Sequence, residues 1–145
     1  MIVLDTTVLV YATGGEHRFR AGCRQLVEAV GDGLIEATTT VEVIQEFVHV
    51  RARRRPRAEA AALGSAFADL LTPLLPVTAD HLADGLRLFR DTQRLGAFDS
   101  VLASAALSRH AIALVSADAA FGDVRGLRHL VPDEPQVAAL LGKPA

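Results

Sequence analysis

The sequence lacks several residues on which common functional sites depend. It has one cysteine, Cys23, which excludes an intramolecular disulfide and any multi-cysteine zinc or iron–sulfur site. It has one lysine, Lys143, near the C-terminus, and no pair of its histidines has the spacing of a helical zinc site. A single cysteine is typical of proteins in a reducing compartment. We therefore expect a cytoplasmic location.

Long apolar runs and a surplus of one charge are also missing. The apolar runs fall far short of the roughly 18 residues that cross a bilayer, and an acid already stands at Asp5, which argues against a signal peptide. We therefore expect no membrane association. Lysine and arginine number 15 against 17 acidic residues, a formal net charge of −2. This balance excludes a uniformly basic surface but not a local basic patch.

What remains is a pattern of short apolar strands that alternate with helices. The runs at 2–4, 34–38 and 112–116 are typical of strands buried on both faces of a parallel sheet, and 127–131 is predicted as a last strand. Helices are predicted at 17–30, from about 41, and at 57–71, 79–93, 97–110 and 136–141. This alternation predicts right-handed βαβ units with helices on both faces of the sheet. The length corresponds to one domain, residues 1–145.

Two acids follow predicted strands, at the sheet edge where functional sites form. Asp5 ends the first strand, and Asp118 follows the strand at 112–116. The alternative for each is a loop aspartate that caps the next helix, and for Asp118 alone the two interpretations are balanced. Asp123 is a reserve candidate for which a loop role is favoured.

Two further acids lie in helices that must bury much of their surface. Asp99 falls in the first turn of the helix at 97–110, where the helix dipole alone would favour it or where it faces a polar cavity. Glu46 lies one turn after Glu42 on the same helix face. The segment from Thr39 to Glu42 has the form of a capping box, which assigns Glu42 a structural role. We therefore favour Glu46 as the functional acid.

A cluster of Asp5, Glu46, Asp99 and Asp118 would need a counter-charge. Clustered carboxylates repel one another, and no basic residue is adjacent to them in their four segments. A hard cation such as Mg²⁺ or Mn²⁺ prefers oxygen ligands and binds phosphate oxygens. Such an ion activates water for in-line displacement at phosphorus, so the cluster predicts phosphodiester hydrolysis.

Four segments carry these acids, in the order 2–11, 40–47, 98–106 and 114–121. Together they resemble the motifs of PIN-domain ribonucleases, in particular the VapC-type toxins of bacterial toxin–antitoxin pairs. The resemblance covers almost the whole chain and, in the second motif, selects Glu46 as the acid. It implies a three-layer α/β/α sandwich with a central, mainly parallel sheet.

The resemblance also implies an activity and a set of site residues. The activity would be Mg²⁺- or Mn²⁺-dependent endoribonuclease cleavage of RNA. Asp5 and Asp99 would bind the metal directly, and Glu46 and Asp118 would complete the catalytic cluster directly or through waters. The partners would be a VapB-like antitoxin and a second copy of the chain in a homodimer.

Hydroxyl groups accompany the acids in the same motifs. Thr6 and Ser116 match positions where hydroxyls orient the carboxylates in the family. One departure lies at Thr7, because the family usually has asparagine two residues after the first aspartate. Threonine keeps a hydrogen-bonding group there but loses the amide.

A run of arginines follows the second acidic motif. Five positive charges fall within seven residues: Arg51, Arg53, Arg54, Arg55 and Arg57. They contact RNA phosphates or an acidic antitoxin segment in the functional interpretation. In the alternative they form a solvated helix end, where cations are favoured.

Two other kinds of function are alternatives to a metal-dependent nuclease. Response-regulator receivers and haloacid-dehalogenase-like phosphatases need a lysine near the phosphoryl group, whereas the only lysine is Lys143, and Thr7 stands where those phosphatases have a second aspartate. The other alternative is a catalytically inactive PIN-like module that binds RNA or protein. The presence of all four acids argues against it.

Overall fold

A four-stranded sheet forms the centre of the computed structural model, which describes residues 1–143. All strand pairs are parallel, in the order β2-β1-β3-β4. This order puts the first strand of the chain in the middle of the sheet, beside β3. The strands are β1 (Ile2–Leu4), β2 (Ala37–Thr38), β3 (Leu114–Val115) and β4 (His129–Leu130).

Helices connect and cover the strands, which makes the fold the predicted three-layer α/β/α sandwich. The α-helices of residues 1–143 are α1 (Thr6–Thr13), α2 (Arg20–Gly31), α3 (Val41–Arg51), α4 (Arg57–Leu70), α5 (Ala79–Asp91), α6 (Ala97–Ser108) and α7 (Glu134–Leu140). A 3₁₀ helix, Ala119–Asp123, follows β3. Over the same residues, every helix is too short or too polar to cross a membrane.

Helix α1 is the α-helix that the sequence pattern did not predict. Its residues include threonines and valines, whose β-branched side chains have a low helix propensity. Two other influences outweigh that propensity. Asp5 caps the helix by accepting a hydrogen bond from the backbone N–H of Thr7, and Val8 and Leu9 are completely buried.

The start of α3 corrects the predicted capping box. The N-cap is Thr40, whose hydroxyl accepts a hydrogen bond from the backbone N–H of Val43 at 3.2 Å. Thr39 lies one residue too early and instead donates to the carbonyl oxygen of Leu4 at 2.7 Å, which ties α3 to β1. Glu42 therefore has no capping role, and its Oε2 atom is buried without a hydrogen-bond partner in residues 1–143.

The apolar core lies on both faces of the sheet. β1 is completely buried, and the largest side chains around it include Phe47 and Phe121. Cys23 of α2 belongs to this core. Burial raises the pKa of its thiol to about 12, so the group stays protonated and unreactive at neutral pH.

Candidate active site

The carboxyl ends of β1 and β3 meet at the centre of the sheet, and Asp5 lies between them. Its backbone N–H donates to the carbonyl oxygen of Val115 at 3.0 Å, so the register of the two strands sets its position. The residue is only 3% exposed. A carboxylate this deeply buried needs polar partners, since burial without them disfavours its charged form.

Two hydroxyl groups supply those partners on one oxygen of Asp5. Ser116 Oγ donates to Asp5 Oδ2 at 2.7 Å, and Thr7 Oγ1 donates to the same oxygen at 2.9 Å. Both bonds leave Oδ1 available for another ligand. The hydrogen bond from Ser116 is consistent with the orienting role that the family resemblance implies for this residue.

The same two hydroxyls reach the loop that carries Asp118. Thr7 Oγ1 accepts from the backbone N–H of Ala117 at 3.0 Å, and Ser116 Oγ accepts from that of Asp118 at 3.0 Å. Asp118 Oδ1 in turn accepts from the N–H of Ala120 at 2.9 Å and caps the 3₁₀ helix. The capping role of Asp118 is thus present, but it occupies only Oδ1 of an exposed carboxylate.

Glu46 reaches the site from α3. Thr6 Oγ1 donates to Glu46 Oε2 at 2.6 Å, across 40 residues of sequence. Thr6 follows Asp5 directly, so this bond places Glu46 beside the first acid. It also gives Thr6 the orienting contact that the resemblance implies, on Glu46 rather than on Asp5.

Asp99, in the first turn of α6, shows that the four acids lie together. The half-buried carboxyl group has its pKa raised to about 7, first by burial and then by the negative charges of Asp5, Asp118 and Glu46. Charges on three other elements therefore act on this one group. Asp5, Glu46 and Asp118 thus lie close enough to Asp99 for their charges to act on it.

The charge of this cluster is not neutralised by neighbouring cations. The salt bridges in residues 1–143 use other acids, and the one nearest the site joins Arg94 to Asp123 with contacts of 2.7 and 2.8 Å. That pairing lowers the pKa of Asp123, which ends the 3₁₀ helix and does not lie in a loop as predicted. The charge of Asp118 also raises the pKa of Arg94, but less than Asp123 does. The Arg94 guanidinium donates both of its hydrogen bonds to Asp123.

The donors of the cluster fit a hard divalent cation that keeps much of its water. They are all carboxylate and hydroxyl oxygens, which Mg²⁺ and Mn²⁺ prefer. Among residues 1–143, no three histidine, cysteine or acidic side chains are arranged to hold a metal ion directly. Mg²⁺ commonly binds through one or two carboxylates and several waters, so the cluster matches that manner of binding rather than a closed protein cage.

The predicted arginine contacts divide into two groups. Arg51, at the end of α3, donates to the carbonyl oxygen of Thr13 at 2.9 Å and pairs with Glu59 at 2.8 Å, so its guanidinium joins α1, α3 and α4. Arg53, Arg54 and Arg55 follow in the exposed turn. Arg51 thus has a structural role whatever else it contacts, whereas the other three point toward solvent.

The fold and the acidic cluster are those of a known family of proteins. The PIN domain family profile matches residues 2–127, and the chain belongs to the PIN-domain family. It is 53% identical over 146 residues to Ribonuclease VapC7 of Mycobacterium tuberculosis, covering 98% of this chain and 99% of that protein. It is 29% identical over 136 residues to Ribonuclease VapC13 of the same organism, covering 90% and 99%.

A solved structure has the same fold. It is the crystal structure of VapBC2 from Rickettsia felis bound to a DNA fragment from their promoter. The TM-score is 0.70 at 18% sequence identity, over 90% of this chain and 98% of that one. At this identity the likeness establishes the architecture of the chain and not its ligands.

Proposed function

We propose that this chain is the toxin of a toxin–antitoxin pair and acts as a metal-dependent endoribonuclease. The observation that carries the proposal is the set of four carboxylates in which the charges of Asp5, Asp118 and Glu46 help to raise the pKa of Asp99. The high identity to Ribonuclease VapC7 over nearly the full chain supports the reaction class. The active unit is one domain spanning residues 1–145.

Each side chain of the cluster has a distinct part in the proposal. Asp5, through the oxygen that its hydroxyl partners leave available, and Asp99 would hold Mg²⁺ or Mn²⁺ directly. Glu46 and Asp118 would bind waters of the ion. When bound, the ion supplies an activated water and stabilises the charge that develops on the phosphate.

The hydroxyl groups of the site orient two of these acids. Ser116, like Thr7, holds the Asp5 carboxylate in one orientation, and Thr6 does the same for Glu46.

The partners in the proposal are RNA, a VapB-like antitoxin and a second copy of the chain. The antitoxin is supported by the fold, which is that of a VapBC2 complex component. RNA as substrate is supported by the ribonuclease relatives and agrees with a cytoplasmic location. The second copy is supported by apolar side chains exposed on α5.

Cleavage of total RNA with and without Mg²⁺ tests the reaction. Asp5→Asn and Asp99→Asn keep side-chain size but weaken the metal site, so we expect cleavage to fall by about 100-fold or more in each. Asp69→Asn removes an exposed acid of α4 and is the matched control. Mapping the ends of the products would identify the RNA and the bond that is cut.

A catalytically inactive PIN-like module is the alternative. In that case the wild-type chain would bind RNA or the antitoxin, yet neither Mg²⁺ nor Mn²⁺ would support cleavage. Cleavage that persists undiminished in Asp5→Asn would instead show that the carboxylate cluster is not the active site.

A further inference from the structure

A groove beside the acidic cluster contains many arginines and no acidic residue. It encloses about 760 Å³ between the last turn of α1, the start of α2 and the end of α3. We call it the basic groove, and we define it by its arginines: Arg20, Arg24, Arg51, Arg53, Arg54 and Arg55. Its positive potential therefore favours an anion.

Two buried donors of the basic groove have no acceptor in residues 1–143. They are the Nε atoms of Arg20 and Arg51, which are inaccessible to water. A buried N–H group without an acceptor is unfavourable. Hydrogen bonds from a charged guanidinium to an anion are stronger than those between neutral groups. Arg20 begins α2 and Arg51 ends α3, so two walls of the groove carry a guanidinium charge.

The remaining arginines divide between anchored and exposed groups. Arg24 Nε donates to the carbonyl oxygen of Ala12 at 3.0 Å, which fixes its guanidinium at the end of α1. Arg53, Arg54 and Arg55 are exposed at the opposite rim. The groove thus has a fixed cationic floor and a cationic rim that can follow a flexible backbone.

Two helices run from the acidic cluster to the basic groove. α1 begins beside Asp5 and reaches the groove at Thr13, and α3 carries Glu46 and leads to Arg53. The helix from Thr6 to Thr13 rises by about 10 Å, and Arg53 lies two residues beyond the end of α3 at Arg51. A strand whose scissile phosphate lies at the acids would therefore place its neighbouring phosphates in the groove.

Aromatic surface adjoins the same groove. Tyr11 lines it and stacks on His17, with ring centroids 3.9 Å apart and planes 7° from parallel. His17 is exposed. Stacking on aromatic rings beside a cationic track is the usual way in which proteins hold single-stranded nucleic acid.

We propose that the basic groove binds the backbone phosphates of single-stranded RNA next to the bond that is cut. The proposal rests on the proposed function and adds a place for the strand outside the acidic cluster. The observations favour RNA over an acidic peptide, because the groove leads along two helices to the carboxylates and has aromatic rings beside it.

The test measures RNA binding separately from cleavage. A labelled single-stranded RNA of mixed sequence is titrated with the Asp5→Asn protein, without divalent metal, at several salt concentrations. In this background, Arg53→Gln, Arg54→Gln and Arg55→Gln are combined. The control combines Arg109→Gln, Arg125→Gln and Arg128→Gln, which remove the same charge from exposed positions outside the groove.

We expect the groove variant to bind RNA at least about 10-fold more weakly, with a salt slope smaller by about 2, or about 0.7 for each lost phosphate contact. The control should change neither quantity. Arg20→Lys, which keeps the charge but removes the planar guanidinium, should leave the salt slope unchanged. Circular dichroism checks that every variant is folded.

Equal RNA affinity and salt slope in the groove and control variants would overturn the proposal. So would a groove variant that loses affinity for polyglutamate, the probe for an acidic peptide, while it keeps its affinity for RNA. Failure of the proposed function looks different, because RNA binding would still depend on the groove arginines while the wild-type chain cleaved no RNA.

Discussion

The acidic neighbours of Asp99 make its ionised form unfavourable, so this residue of the site lowers the stability of the folded chain at neutral pH. Its carboxyl group has a pKa of about 7 in the folded chain against an ordinary value of 3.8, because burial and three nearby negative charges disfavour ionisation. Between these pH values the folded chain binds more protons than the unfolded chain. The free energy of unfolding therefore falls as the pH rises from about 4 to 7.

Asp99→Asn should remove this pH-dependent destabilisation. At pH 8 and in EDTA we expect the variant to be more stable than the wild type by on the order of 1 kcal/mol, less than the full pKa shift implies because water screens the half-buried carboxylate. Near pH 4 the gain should disappear. Thermal unfolding at the two pH values measures it, and an equal gain at both would contradict the electrostatic explanation.

Thr7 is the residue at which this chain departs from its family, and it joins the two loops of the site. Thr7→Val keeps the shape but removes a donor to Asp5 and an acceptor for the N–H of Ala117. We expect a loss of about 1–3 kcal/mol in stability and about 10-fold or more in metal affinity or cleavage. Unfolding in denaturant and Mn²⁺ titration measure the two effects.

Two variants control for the loss of the Thr7 hydroxyl. Thr7→Ser keeps it and should retain most of the metal affinity. Thr13→Val removes a hydroxyl that bonds only within its own helix, to the carbonyl oxygens of Leu9 and Val10, so metal binding should not change. Equal metal affinity in Thr7→Val and wild type would show that Thr7 does not position Asp5.

At the scale of elements, α5 and α6 approach each other closely at a glycine. A methyl group on Gly85 would lie 2.7 Å from the Cα atom of Val101, a backbone contact that side-chain rotation cannot relieve. Gly85→Ala should therefore separate the helices and destabilise the chain by about 1–3 kcal/mol, despite the higher helix propensity of alanine. Because Asp99 is two residues before Val101, cleavage should also fall.

Gly15→Ala is the control for this close approach, since a methyl group there would meet nothing within 4 Å. Its midpoint in urea should match the wild type or exceed it slightly. If Gly85→Ala were equally neutral, the two helices would have room to move and the position of Asp99 would not depend on their packing.

The strands and most helices were predictable because they depend on local patterns. Ile2–Leu4 is a continuous apolar run, and such runs suit strands covered on both faces. α1 was not predictable, because its intrinsic propensity points the other way and the burial of Val8 and Leu9 decides its structure. The predicted capping box failed for a related reason, since Thr39 has a distant partner in Leu4.

At the scale of the whole molecule, an apolar face remains on the surface. Leu82, Leu86 and Phe89 follow one face of α5 and are each about half exposed, at 49%, 50% and 48%. Exposed apolar side chains grouped in this way are typical of interaction sites. A second copy of the chain, as proposed above, would cover them.

Leu86→Glu should convert the proposed homodimer into a monomer, because the new charge would be buried without a partner in the interface. Size-exclusion chromatography with light scattering measures the mass. Ala66→Glu, at an exposed position of α4, adds the same charge elsewhere and should leave a dimer. A wild-type chain that stays monomeric at all concentrations would contradict this assignment.

The net charge of −2 conceals two opposite surfaces in one molecule. The acidic cluster lies where the strands end, and the basic groove includes Thr13, about 10 Å away along α1. In the two proposals above, a cation would bind at the first surface and an RNA strand at the second. The sequence showed both charge groups, but the three-dimensional fold alone places them next to each other.

The sequence by itself determined the parallel sheet, the acids at its strand ends and the family resemblance, because these depend on short-range order along the chain. Only the tertiary structure decided the partners: Ser116 with Asp5 across 111 residues, and Thr6 with Glu46 across 40. It also decided which arginines are anchored and which are exposed. Hydrogen bonds and charge interactions depend on distance in space, and the packing of the whole chain sets those distances.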